Sequence, residues 1–151
     1  MAIIVGKKET RVVPVKAIEP LNNDKTQEHK FTVEVEVLNQ EDWRAITDRW
    51  DYLGELSQRE KFAMARGLDY EPLSDDERKE AKAPAIDTIK HLIKAIDLDV
   101  EDVEGNKLTG EKQVEAVIQI PWLRDPIFDC ILAVQSGKTT EAFKKARQKN
   151  S

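Results

Sequence analysis

Phe31-Thr32-Val33-Glu34-Val35-Glu36-Val37 is the stretch on which the fold turns. Apolar and polar residues alternate through it, and a period of two places one face against a core and leaves an acidic face in water. It reads as a strand. Upstream, the valine-rich run Arg11 to Ile18 is a second strand candidate, and Glu19-Pro20-Leu21-Asn22-Asn23-Asp24-Lys25 between them is made of turn-forming residues. The simplest pairing is an antiparallel hairpin with a long loop. Pro14 has no N–H to donate, which makes the first strand an edge or puts a bulge in it.

Downstream the period changes. Asn39 followed by Asp42 is an N-cap signal, and Trp43, Ile46, Trp50 and Leu53 then recur every three or four residues along one helical face. Ser57 with Glu60 repeats the capping-box pattern, which predicts a kink or turn there, and Gly67 is the expected stop. Ser74 to Lys82 is capped but nearly devoid of apolar residues, so residues 70–83 read as an exposed helix or mobile insertion. Pro84 suits the first turn of a helix whose Ile86, Ile89, Leu92, Ile93 and Ile96 form the richest apolar stripe in the chain. Gly105-Asn106 predicts a tight turn, Glu111 to Ile120 a helix stopped by Pro121, and Asp125-Pro126 an N-cap opening a helix that carries Ile127, Phe128, Ile131 and Leu132. Gly137 interrupts it, and residues 138–151 form a basic helical tail. The expected class is α+β: one domain over 1–151, with an N-terminal antiparallel β-hairpin over 1–38 and a mostly α-helical body over 39–151.

Composition narrows the function. The chain has 151 residues with 24 Lys and Arg against 29 Asp and Glu, a net charge of −5 that argues against generic nucleic-acid binding. Cys130 is the only cysteine, so no intrachain disulfide or Cys-rich zinc site can form, and a reducing compartment is expected. The apolar run at the start, Met-Ala-Ile-Ile-Val-Gly-Lys-Lys, is short for a signal peptide, and no stretch approaches the roughly 20 apolar residues of a membrane span. A cytoplasmic protein is the expectation.

The candidate chemical sites fail on register. Ser136-Gly137-Lys138-Thr139 resembles the end of a phosphate-binding loop, but that motif needs a glycine where Leu132 stands and a strand before it. The acids Asp97, Asp99, Glu101, Asp102 and Glu104 suggest a calcium loop, yet counted from Asp97 the turn glycine falls on Asp102 and the closing acid on Leu108. His29 and His91 have no Cys, Asp or Glu at metal-ligand spacing. Cys130 lies in an apolar run without activating neighbours and reads as core. Trp43 and Trp50 read first as core anchors, with an interface role as the competing reading. The basic tail lacks the aromatic ladder of a single-strand binder. No catalytic residue, cofactor site or metal site is expected.

Several features in order resemble the tail assembly chaperones of long-tailed, lambda-like bacteriophages. Val12-Val-Pro-Val-Lys precedes the strand Phe31-Thr-Val-Glu-Val-Glu-Val-Leu, which leads directly into a helix. An apolar helix later runs into Val103-Glu-Gly-Asn-Lys-Leu, similar to the family's acidic-Gly-x-x-Leu turn, and the helical segment Glu111 to Ile120 follows. The ending Ala146-Arg-Gln-Lys-Asn is similar to the family's Ala-Arg-x-Lys-Asn. Ser74 to Lys82 and the long tail after Gly137 depart from the pattern.

The resemblance implies a non-catalytic holdase of the bacterial host cytoplasm, absent from the finished virion, that coats the apolar helices of the tape measure protein. It also implies a longer form made by a backward ribosomal slip, whose extension recruits the tail-tube protein; Ser136-Gly137-Lys138 is encodable as TCG-GGA-AAG, which contains a slippery heptamer. The faces Trp43/Ile46/Trp50/Leu53 and Ile127/Phe128/Ile131/Leu132 are the candidate client or self-association surfaces. The competing class is a small protein-protein adaptor domain of prophage or host origin.

Overall fold

A computed structural model describes Ala2 and residues 8–149. The chain runs β1 (Glu9–Pro20), β2 (Thr26–Val37), α1 (Gln40–Arg66), α2 (Asp75–Lys82), α3 (Pro84–Leu92), β3 (Ile93–Asp97), α4 (Gly110–Ile118), α5 (Pro121–Gln135) and α6 (Thr140–Lys149). The N-terminal antiparallel hairpin followed by a mostly helical body is the expected class. The first residues of the 1–38 hairpin region, Met1 and 3–7, and the last of the tail, Asn150 and Ser151, lie outside the described residues.

The chain divides into two compact units: residues 1–38 with 88–151, and residues 39–87. In the first, β1 and β2 pair in unbroken register from Glu9 opposite Val37 to Pro20 opposite Thr26. The strands run further than their sequence signals. The connection is only Leu21 to Lys25, a single 3-10 turn in which Asn23 (φ 61°) and Asp24 (φ 57°) take the left-handed conformation these two residue types tolerate. Val15, Ala17, Phe31, Val33 and Val35 are buried on one face, as the alternation required.

β1 is an outer strand, and Pro14 and Pro20 share the parity whose backbone nitrogen points away from β2, so neither breaks the ladder. The Pro14 carbonyl accepts instead from Cys130 Sγ at 3.6 Å.

The apolar stripe after Pro84 is where helix periodicity misleads. Ile93 and Ile96 leave the helix at Leu92 and form β3, which pairs antiparallel with β2 through Val35 opposite Ile93 and Val33 opposite Ile96, with a bulge between Glu34 and Val35. β-branched side chains gain more on a pleated surface beside β2 than in a last helical turn.

α5 packs on β1 and β2 and buries Leu123, Ile127, Cys130, Ile131, Ala133 and Val134. It starts at Pro121, not at Asp125-Pro126. Pro121 supplies the preset first-turn angle, and the Ile120 carbonyl already accepts from the N–H groups of Leu123 and Arg124, so the helix is closed before Pro126 removes one donor from its interior.

Two glutamines finish the sheet's backbone hydrogen bonds. Gln135 at the end of α5 donates to the Glu36 carbonyl at 2.7 Å and accepts from the Leu38 N–H at 2.9 Å, the pair of bonds a neighbouring strand would make. Buried Gln113 of α4 donates to the Ile96 and Leu98 carbonyls at 3.0 and 2.7 Å.

In the second unit, α1 starts where Asn39 Oδ1 accepts from the Asp42 N–H at 2.8 Å. It passes through Ser57 without a kink because Leu53, Glu60 and Ala63 keep one buried row across that point, leaving the Ser57 capping signal unused. Gly67 ends it at φ 65°, with the Leu68 N–H bonded to the Ala63 carbonyl at 2.9 Å. A Cβ at Gly67 would touch nothing within 4 Å, so Gly67→Ala tests backbone strain alone. The expected result is a loss of about 1 kcal/mol for this unit in a chemical melt, from forcing an L residue into the left-handed region.

Candidate protein-binding surface

The two apolar faces singled out in the sequence have different fates. On α5, Ile127 and Ile131 are fully buried in the core of the first unit, while Phe128 and Leu132 are half-buried. The α5 face is therefore a packing face, and its two isoleucines have no surface to offer a partner. A helix running from Pro121 and lying across the hairpin covers them, which the local pattern alone could not reveal.

On α1, Leu53 is buried, but Trp43, Ile46 and Trp50 are each half-buried and form a continuous row along the helix. The Trp43 and Trp50 rings meet edge to face with centroids 5.6 Å apart, the geometry that aligns the positive edge of one indole with the negative face of the other. Tyr52, Phe62, Met64, Leu68 and Tyr70 are exposed in the same unit. Arg49 stacks over Tyr52 at 5.4 Å and Arg66 over Phe62 at 4.7 Å, so two of these rings are partly shielded by cations.

Residues 73–80 are fastened to α1 by buried Glu60 and by Glu80. Glu60 is almost wholly buried; it accepts from the Leu73 N–H at 2.9 Å and from both terminal nitrogens of Arg78 at 2.9 and 3.2 Å. The Leu73 amide, and after it the Arg78 guanidinium, hold the Glu60 carboxyl below the usual carboxylate range although burial works against them. Arg49 adds a paired contact to Glu80 at 2.9 and 3.4 Å. Ser74 and Glu77 form a complete capping box at the start of α2. Residues 70–83, expected as an exposed helix or a mobile insertion, hold the helix α2, which buries none of its residues and is fastened to α1 by charge-assisted bonds.

Other residues singled out in the sequence make the following contacts. Ser136 is the C-cap of α5 and Gly137 its left-handed stop (φ 69°), so the Ser-Gly-Lys-Thr run follows a helix. Asp102 accepts from the Asn106 and Glu104 N–H groups at 2.9 Å each, fastening the Gly105 turn, and these amides hold its carboxyl below the usual range. His29 does have an acid partner: Glu19 lies 2.8 Å from its Nε2, brought there by the hairpin register, and Trp122 stacks on the ring with centroids 5.3 Å apart. Burial raises the Cys130 thiol, which suppresses the thiolate needed for nucleophilic chemistry. What sequence reasoning missed is the Glu60 clasp. Its signal is a lone acid on the apolar side of α1, legible only once α2 is known to pack there.

Among the described residues no helix is long and apolar enough to cross a membrane. Neither a family model, nor a curated protein, nor a solved structure matches the chain.

Proposed function

We propose that this protein is a phage tail assembly chaperone, a non-catalytic holdase that keeps the tape measure protein soluble in the host cytoplasm until tail-tube subunits polymerise around it. The resemblance in sequence order motivates the family, and the observation that carries the binding role is the half-exposed Trp43/Ile46/Trp50 row on the 27-residue α1. A long helical client with its own apolar stripe would aggregate alone, and a half-exposed apolar row in a unit of net charge −5 can shield that stripe while adding charge. Several copies along one extended client would gain avidity without any further contact. A longer form, made by a slip in the reading frame near Ser136-Gly137-Lys138, recruits the tail-tube protein.

Co-expression tests the reading. A co-expressed tape measure protein should be soluble with the wild type and insoluble with Trp43→Ala, while that variant still melts cooperatively. A client that is equally soluble with both proteins, or a variant that simply unfolds while Phe62→Ala has no effect on the client, contradicts it. The nucleotide sequence around Gly137 decides the longer form separately.

A further inference from the structure

A groove of about 480 Å³ runs between α1 and residues 69–77, within the size range of about 300–1,000 Å³ typical of specific binding pockets. Its less exposed apolar lining is Leu56, Ala63 and Leu73; Pro72, Tyr52 and Tyr70 are exposed, and Arg59 contributes one cation to a lining that holds four acids. Two carboxylates on its lip, Asp69 and Glu71, have no ion-pair partner among the described residues, unlike Glu60 and Glu77, which are occupied by Arg78 and Ser74. The surroundings have the same sign: residues 39–87 hold 13 acidic against 8 basic side chains, so this unit carries the whole net charge of −5. Groups of the same chemistry already hold cations within this unit, Glu60 taking Arg78 and the Tyr52 ring taking Arg49.

We infer that this groove docks a short basic segment of a partner protein, its lysine or arginine received by Tyr70, Asp69 and Glu71 and an adjacent apolar side chain seated on Leu56 and Leu73. Exposed aromatic faces and unpaired carboxylates together select a cation, and the apolar lining selects a cation flanked by hydrophobic residues over a free ion. The inference is independent of the tape measure assignment, since it specifies the chemistry of the segment and not the protein that bears it.

The test is a titration of the full chain with a labelled peptide alternating leucine and lysine, followed by fluorescence anisotropy, against the same peptide with glutamine for lysine. The lysine peptide should bind about ten-fold tighter, the sum expected of two partly exposed ion pairs. Asp69→Asn with Glu71→Gln should lose about that factor, whereas Glu41→Gln with Asp42→Asn, which removes the same charge from the start of α1, should leave affinity within about two-fold. Amide shifts induced in the wild-type chain should fall at residues 52–77. Equal binding of the two peptides, equal losses in the two double variants, or shifts mapping elsewhere would overturn the inference, the second outcome by showing a diffuse field in place of a site.

Discussion

Ile131→Ala should destabilise the first unit by about 2–5 kcal/mol, the range for truncating a fully buried isoleucine whose surroundings collapse only in part. Ile131 has no exposed surface and lies on the α5 face that packs on β1 and β2. The loss should appear as a lower urea midpoint at unchanged slope for signals from the sheet. Binding of the proposed client by the fraction that remains folded should be unaffected. A variant of native stability with lost client binding would return α5 to the list of docking surfaces.

Glu60→Gln has the next largest expected effect, and it is local. The amide keeps a carbonyl acceptor for the Leu73 N–H but leaves the Arg78 guanidinium without its carboxylate, so α2 and residues 67–74 should lose amide-exchange protection while the sheet keeps its own. The pH dependence follows from the direction of the shift. Glu60 is held below its unfolded value, so the folded state binds fewer protons there; its contribution is fully present above the ordinary carboxylate pKa of about 4.3 and is lost as pH falls through that value and the lower folded one. Glu77, held low by the Ser74 amide, adds a contribution of the same sign. Acid should therefore loosen the second unit of the wild type below about pH 4.5, and Glu60→Gln should flatten that dependence without abolishing it. Identical acid profiles for wild type and variant would refute the clasp.

The hairpin was the most legible part of the chain because period two admits a single assignment: once Val33 and Val35 face inward, Glu34 and Glu36 face out, and of the edge or bulge that Pro14 allowed, the structure takes the edge. Helix ends with a chemical mark, Asn39, Ser74, Gly67 and Gly137, were legible for the same reason. Stretches whose fate depended on a distant neighbour were not. Ile93 and Ile96 continue a helical stripe, and only the free side of β2 draws them into a strand. Pro126 looks like a beginning because its ring stops most helices, yet Pro121 had already started this one.

The candidate surface was half legible for a related reason. Spacing identifies which side chains share a face, but Trp43 and Ile127 have equivalent local patterns, and only the packing of α5 on the sheet separates a buried row from a half-exposed one. The Glu60 clasp depends on residues 13 and 18 positions away and left no local mark.

Oxidative footprinting of the tryptophans separates the proposed docking row from the rest of the chain, because the three divide between them: Trp43 and Trp50 lie on α1, and Trp122 stacks on His29 in the first unit. In complex with the tape measure protein, Trp43 and Trp50 should become protected while Trp122 keeps its free-state reactivity. Unchanged reactivity at Trp43 and Trp50, or protection confined to Trp122, would show that the α1 row does not bind this client.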